Sequence, residues 1–485
     1  MTLFQGGKTM KKFWLILLSL GLVMAFSVSA LAADVKFSGE YYVAGLFLKN
    51  VDVSDPAMYS YNGSTAFFYQ RLRLGIDFVV SPCLRLVTRA DIMERTWQPD
   101  DSGNTSNSYA PPIKGHNDAS PLANTTLGYG NGDARNVDWD ITYVDYTSPI
   151  GRFQVGFMPD YAWGTIWGNR MTGPTAGQIK YMVPIGPVTI VFDYAKEKEN
   201  SYWIGNTTAK NIDTDFDSYR IGPIINFGKG GSVSGETGVL FIYNYDRQLR
   251  TAAWPNPSRD NVYVVQPYFK AKLGPVALQG EINYAWGTKD YENPAKDDQD
   301  ISSFTAFLDG DANFGIVSVG GSFAFVEGQN PDSNKIENKL TGGRDWNPCL
   351  IMFSNDAYYT WLGAVANPTV FAASTTGASA IDGEMRNVWF GQLRAGLAPI
   401  SKLRFDTSVS YAAADQKPYN TTTHQYFDRD YGWEVDVIGT YKITNNLSYI
   451  LGGAYLWTGD YFQAGVSTQN LKDEYLIINK LTLNF

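Results

Sequence analysis

The stretch FFYQRLRLGIDFVVS, residues 67–81, alternates between apolar and polar side chains. One parity carries Phe68, Leu72, Leu74, Ile76 and Phe78, and the other carries Tyr69, Arg71, Arg73 and Asp77. A period of two predicts a β-strand with one apolar and one polar face. The stretch exceeds the usual strand of about 5–6 residues. It is long enough for a tilted strand to cross a bilayer, which takes about 9–11 residues.

The same alternation recurs along the chain, separated by connections that are alternately short and long. It is clear in VYVVQPYFKAKLG (262–274), VALQGEINYAWG (276–287), LRFDTSVSY (403–411) and WEVDVIGTYKI (433–443). Short connections rich in Pro, Gly and Asn, which suit tight turns, lie at 80–83, 148–151, 184–187, 228–232, 273–275, 313–315, 398–401 and 444–446. Longer polar stretches lie at 49–65, 98–135, 159–176, 198–215, 248–260, 289–300, 327–383, 415–430 and 459–472. This rhythm predicts an all-β, antiparallel transmembrane β-barrel of about 18 strands, with short periplasmic turns and long extracellular loops.

The N-terminal segment has the features of a secretory signal. Lys11 and Lys12 precede the apolar run 13–32, and Ala30 and Ala32 supply the small residues that a signal peptidase reads. We therefore expect residues 1–32 to be a signal peptide and residues 33–485 to form the exported barrel. An uncleaved membrane anchor is the alternative, because the apolar run is nearly long enough to span a bilayer.

The chain closes on KLTLNF, an alternating strand whose final residue is the aromatic Phe485. In lipid only a helix or a closed barrel hydrogen-bonds every backbone group, so we expect this strand to pair with the first strand, near 36–48. An alternating terminal strand ending in Phe resembles the signal that outer-membrane proteins present to the barrel-assembly machinery. An aromatic belt is expected on the apolar parity at the loop ends, where four tryptophans lie: Trp139, Trp286, Trp433 and Trp457.

The stretches FFYQRLRLGIDFVV (67–80) and GRFQVGFMPDYAWGTIWGN (151–169) resemble those of bacterial outer-membrane porins, in particular the porin-like barrels of sulfate- and metal-reducing bacteria. The resemblance implies a pore for small hydrophilic solutes or ions in an outer membrane with lipopolysaccharide, and it leaves a homotrimer open. In porins the third outer loop often folds into the pore. Here that loop is 159–176, with four candidate constriction residues: Tyr161, Trp163, Trp167 and Arg170. An exposed surface loop is the alternative.

The polar parity of the strands predicts two charged walls inside the barrel. The basic pore-lining candidates are Arg71, Arg73, Arg85 and Arg89 on the second and third strands, and the acidic candidates are Asp246, Glu281, Asp309 and Asp311 on strands nine to twelve. In an 18-stranded barrel these walls face each other, which would orient dipolar solutes. Local salt-bridged ladders that fill a narrow barrel are the alternative.

Other functions find less support in the sequence. Only two His occur, His116 and His424, and no HExxH, GxSxG, P-loop or CxxCH pattern appears, so we expect neither an enzyme nor a cofactor or metal site. The net charge of −9 argues against nucleic-acid binding. A barrel sheath or docking partner for extracellular redox proteins remains the second hypothesis. The apolar part of loop 327–383 could also fold into the pore and occlude it.

The first prediction concerns export. Because Ala30 and Ala32 satisfy the specificity of a signal peptidase, the mature protein should begin at Ala33. Intact-mass analysis of the protein from the cell envelope measures this directly, and retention of residues 11–32 would contradict it.

Overall fold

The computed structural model describes residues 34–50, 64–97, 137–169, 175–200, 213–250, 256–354, 384–420, 423–463, 465 and 470–485. The expected signal peptide and its cleavage site lie outside these residues. Among the described residues, no helix has the length and apolarity to span a bilayer.

Eighteen strands form one closed antiparallel sheet, as predicted, in which each strand pairs with the next along the chain and the last pairs with the first. The first nine strands are β1 (Asp34–Lys49), β2 (Ser64–Ser81), β3 (Leu84–Thr96), β4 (Val137–Ser148), β5 (Gly151–Pro159), β6 (Thr175–Ile185), β7 (Val188–Lys198), β8 (Phe216–Phe227) and β9 (Val233–Asp246). The remaining barrel strands are β10 (Ser258–Leu273), β11 (Val276–Tyr291), β12 (Gln299–Phe314), β13 (Val317–Val326), β14 (Val388–Ile400), β15 (Leu403–Ala413), β18 (Asp430–Lys442), β19 (Leu447–Thr458) and β20 (Glu474–Asn484). The two-residue strands β16 (Tyr419–Asn420) and β17 (Gln425–Tyr426) form a separate hairpin in the connection between β15 and β18.

The predicted alternation of short and long connections between strands is confirmed. Each of the eight stretches predicted as tight turns joins two paired strands through two to five residues. The nine predicted loops connect the strands at the opposite end of the barrel. Pro and Gly recur in the turns because they supply the dihedral angles that short hairpins need.

The barrel closes between β1 and β20. Their register runs from the pair Glu40–Asn484 to the pair Lys49–Tyr475. Beyond it, Gly39 N donates to Phe485 O at 2.9 Å, and Phe485 N donates to Gly39 O at 3.0 Å. The Phe485 ring covers Gly39, so that a Cβ at position 39 would come within 2.5 Å of the ring. The closing strand is therefore fixed by backbone pairing and by an aromatic ring over a glycine.

The outer face of the barrel is apolar and is bordered by aromatic rings at both ends. The four predicted tryptophans are exposed on this face, Trp139 by 53%. At the loop end, neighbouring strands carry a row of stacked or tilted rings with centroids 5.0–6.2 Å apart: Tyr194, Tyr219, Tyr243, Tyr263 and Trp286. At the turn end a shorter row follows the same rule: Tyr146, Phe153, Tyr181 and Phe192. Two aromatic girdles that flank an apolar band are typical of a membrane barrel.

The interior has its own apolar cluster, which occupies one side of the lumen toward the loop end. Barrel strands contribute Leu46, Phe307, Phe390, Tyr431 and Leu476, among others. Loop residues complete the cluster: Trp167, Trp346, Ile351, Met352 and Phe353. The lumen is thus partly filled by the chain's own loops.

The second prediction concerns closure. Replacement of Phe485 by Asp puts a carboxylate where the ring covers Gly39 at the turn-end rim, so the fraction of protein that assembles should fall well below that of the wild type. Heat-modifiable migration on gels measures the folded fraction. Phe227→Asp is a matched control, because the Phe227 ring covers Gly235 in the same way at the end of β8, away from the closing strands. Equal assembly of the two variants would contradict a special role for the closing strand.

Candidate functional site: the lumen and its two inward loops

The connection after β5 turns into the lumen at Asp160. Asp160 Oδ1 lies 2.6 Å from Arg220 Nη2, and the Arg220 guanidinium lies 3.7 Å from the centroid of the Tyr161 ring. Arg220 projects inward from β8, and its side chain is almost wholly buried against Asp193 and Glu197 as well. Burial raises the pKa of the Tyr161 phenol, which therefore stays neutral beside this charged group. Arg220 thus fixes the point where the loop enters.

The middle of this loop is docked on Glu281 of β11. The backbone N and the Oγ1 of Thr165 both donate to Glu281 Oε2 at 2.9 Å. Gly164 has a positive φ of 75°, and a Cβ at Gly164 or Gly168 would overlap the Glu281 carboxylate. Glycine at both positions therefore lets the backbone approach the carboxylate closely. Lys270 Nζ donates to Gly164 O at 3.1 Å and holds the same turn from β10.

The predicted constriction residues take different places along the loop. Trp163 packs edge-on against Tyr268, with centroids 5.7 Å apart. Trp167 is 1% exposed, stacks on Phe307 at 5.3 Å, and donates from Nε1 to Thr305 Oγ1 at 3.1 Å. Arg170 lies outside the described residues. All three aromatic residues thus contact the lumenal wall or the groups that face it.

The connection after β13 also enters the lumen and meets the first loop. Gly343 N donates to Trp167 O at 2.9 Å, and Asn169 Nδ2 donates to Asp345 Oδ2 at 3.1 Å. Trp346 packs edge-on against Trp167, at 6.0 Å between ring centroids. The two loops therefore form one inserted layer.

Residues 348–353 anchor this second loop on β18. Glu434, which is fully buried, accepts hydrogen bonds from Ile351 N at 2.7 Å and Met352 N at 2.6 Å. Asp436 accepts from Leu350 N at 3.2 Å. No helix forms in the described part of the apolar stretch, 349–354, which enters the lumen as irregular chain.

Cys349, Glu434 and Asp436 place their ligand atoms within 4.8 Å of one another. The carboxylates already accept backbone hydrogen bonds from the loop, however, and Cys349 Sγ lies 3.2 Å from Ser410 Oγ. Burial, with the two carboxylates nearby, raises the pKa of the Cys349 thiol. These residues serve as a hydrogen-bonded anchor for the loop.

The arginines predicted for the basic wall are ion-paired with acids on neighbouring strands. Arg73 Nη2 lies 2.7 Å from Asp91, Arg85 Nη2 lies 2.7 Å from Asp145, and Arg89 Nε donates to Asp140 at 3.0 Å. Arg71 lies 3.8 Å from Glu40. Arg152 of β5 joins the same series by sharing Asp145 with Arg85. This arrangement corresponds to the salt-bridged ladder, the alternative to two opposed walls of unpaired charge.

The acids predicted for the opposite wall are engaged as well. Asp309 and Asp311 bind Arg394 of β14 at 2.6 and 2.7 Å. Glu281 lies under the first loop, and Asp246, at the end of β9, accepts from Gln248 N at 3.0 Å. The sequence-based interpretation omitted Arg220, Arg394 and Glu434. The parity that identified Arg73 would have placed all three on the polar face.

Charged side chains near the turn end are exposed on both sides of the lumen. On the wall from β2 to β5, the side chains of Arg85 and Arg152 are 40% and 39% exposed. On the wall from β12 to β19, the apolar cluster and the inserted loops cover Phe390 and Glu434 completely or nearly so. Near the turn end of the same wall, however, Asp311, Arg404 and Asp406 are 43%, 45% and 38% exposed.

Several solved porin structures align with this chain over most of its length. A BenF-like porin from Pseudomonas fluorescens Pf-5 aligns over 93% of this chain and 99% of its own, with a TM-score of 0.48 and 10% identity. OpdK of Pseudomonas aeruginosa, crystallised with vanillate, covers the same shares at a TM-score of 0.47 and 12% identity. OccK2 (OpdF) of the same organism, in complex with glucuronate, aligns over 94% of this chain and 99% of its own, at a TM-score of 0.46 and 11% identity. No family model and no curated protein matches this chain.

The third prediction tests the docking of the first loop. Glu281→Ala removes two hydrogen bonds, each worth about 0.5–1.5 kcal/mol, so the loop should leave the wall and the single-channel conductance in a planar bilayer should rise. Glu281→Gln, which keeps an acceptor oxygen, should give a smaller rise. Asp77→Ala is the control, since it removes a lumenal carboxylate that pairs with Arg85 rather than with the loop. If Asp77→Ala raised the conductance equally, the effect of Glu281→Ala would be due to the loss of an acidic side chain and not to release of the loop.

Proposed function

We propose that this protein is an outer-membrane diffusion channel for small hydrophilic solutes or ions. The observation that carries the proposal is a closed barrel of eighteen strands whose outer face is apolar and whose inner face carries charged side chains, some of them exposed by about 40%. Barrels of about 16–18 strands enclose an aqueous channel when loops do not fill them. Here the inserted loops occupy part of the lumen, and the arginine ladder is one polar lining of the path that remains.

The two loops form the constriction of this channel. Tyr161, Trp163 and Trp167 narrow the lumen from the β8–β12 side, and the anchored loop at 348–353 narrows it from β18. Both loops are held by hydrogen bonds to buried carboxylates, Glu281 and Glu434, so the constriction is firmly positioned. Solutes therefore pass between a mixed aromatic and polar layer and the arginine ladder.

Ion pairing limits the charge selectivity of the path. Four arginines of the ladder lie within hydrogen-bond length of an acid, and Arg71 lies 3.8 Å from Glu40. A solute therefore meets closely spaced dipoles rather than one strong field. Such a lining favours polar solutes of either sign over apolar ones. Weak selectivity is the expected result.

A barrel sheath for an extracellular redox protein is less well supported. That function needs a lumen that another chain fills. The apolar cluster and the two docked loops already occupy a large part of the lumen.

The fourth prediction tests whether the ladder lines the open path. Arg73→Ala with Arg89→Ala leaves Asp91 and Asp140 without these partners, so permeation should shift toward cations. The shift in reversal potential across a salt gradient should be largest in dilute electrolyte, because the Debye length is about 8 Å at physiological salt and longer below it.

The matched control restores neutrality. A quadruple variant that also carries Asp91→Ala and Asp140→Ala removes both charges of each pair, so its reversal potential should return toward that of the wild type. Heat-modifiable migration confirms that each variant is folded, since breaking a buried pair is destabilising. An unchanged reversal potential in the folded arginine variant at low salt would show that the ladder does not line an open path.

A further inference from the structure

A separate small cavity lies between the two inward loops and the wall formed by β9, β10 and β11. Its volume is about 130 Å³. Trp167, Val264 and Leu340 supply apolar surface, and Asn244, Gln266 and Asn283 supply side-chain amides. The cavity therefore combines an aromatic and aliphatic lining with hydrogen-bonding groups, as sites for small polar molecules do.

Asn283 is the group that points to a ligand. Its side chain is 2% exposed, and its Nδ2 donates to Thr305 Oγ1 at 3.1 Å. Its Oδ1 is buried and has no hydrogen-bond partner among the described residues. A buried acceptor without a donor is unfavourable, and Asn283 lines the cavity, so this oxygen is available to accept a hydrogen bond from a molecule bound there.

The other two amides present complementary groups to the same space. Asn244 Oδ1 accepts from Ser218 Oγ at 2.8 Å, so its NH₂ group is left to donate. Gln266 and Asn283 lie on adjacent strands, between the paired residues Val265–Tyr284 and Tyr268–Glu281. The cavity thus offers donors and acceptors within one small volume, which hydroxyl groups can satisfy because each is both a donor and an acceptor.

The two cations that line the cavity, Lys339 and Arg344, are already paired with acids, and one of these acids, Glu384, also lines it. Lys339 Nζ lies 2.9 Å from Asp260, and Arg344 Nη1 lies 2.9 Å from Glu384. An anionic ligand would have to compete with these carboxylates. The electrostatics therefore favour a neutral ligand.

The volume sets the size of that ligand. A cavity of about 150 Å³ holds benzene, which has six non-hydrogen atoms. We propose that this cavity is a solute subsite for a neutral three-carbon polyol, of which glycerol is the simplest probe. The inference rests on the proposed channel function and names a class of solute for it.

Titration of the purified barrel in detergent micelles, followed by saturation-transfer-difference NMR, tests the subsite. Glycerol should give a saturable signal, whereas propane-1,2-diol, which lacks one hydroxyl, and glycerate, which carries a charge, should bind more weakly. Asn283→Leu should raise the apparent Kd for glycerol about threefold to tenfold, the effect of one net hydrogen bond. Asn313→Leu, at an exposed position on the turn end of β12, should leave the Kd unchanged.

Gln266→Leu provides a second test if Asn283→Leu does not fold, because Gln266 is only half-buried. It should also weaken glycerol binding. A non-saturable glycerol signal, tighter binding of glycerate, or equal affinity in all folded variants would overturn the proposal.

Conductance in KCl, measured on the same preparation, separates this proposal from the channel function. A barrel that conducts but does not bind glycerol would overturn the subsite and leave the channel. A barrel that binds glycerol but does not conduct would support the subsite and overturn the channel.

Discussion

The structure depends on the pairing of β1 with β20, which removes both edges of the sheet. A β-sheet surrounded by an apolar phase has no water to satisfy an unpaired edge, so the ladder must be continuous. Continuous pairing in turn fixes which parity of each strand faces inward, since a slip of one residue would exchange the two faces. The apolar outer band, the aromatic girdles and the charged lumen all follow from this one constraint.

Inside the barrel, two buried acidic side chains hold the inserted loops in place by accepting hydrogen bonds from them. Glu281 accepts two hydrogen bonds from Thr165, and Glu434 accepts two from the backbone at Ile351 and Met352. Irregular chain can enter a narrow lumen only if its backbone groups find partners there. The carboxylates provide these partners, and the apolar side chains of the same loops then pack into a common cluster. The inserted layer is consequently an integral part of the fold.

The ladder of arginines shows how charged side chains can be held in pairs on the inner face of a barrel. A lone guanidinium in the lumen would create a strong local field, whereas a pair such as Arg73 and Asp91 presents a dipole at lower energetic cost. Shared acids extend the pairs into a series, since Asp145 binds both Arg85 and Arg152. The inner face of these strands therefore stays polar while the net charge of the series stays small.

The sequence by itself determined the strands, the turns and the face that each strand residue takes. These features are local: a period of two and a Pro- or Gly-rich turn can be recognised within a short window. The inward placement of Trp163 and Trp167 was expected only by resemblance to porins, because no local pattern distinguishes an inserted loop from an exposed one. Only the tertiary structure decided it, through the contact of Thr165 with Glu281, 116 positions away, and of Ile351 with Glu434, 83 positions away. It also decided that the charges pair locally across neighbouring strands, since the pairing of Arg85 with Asp145 depends on the register of β3 against β4, which alternation alone does not specify.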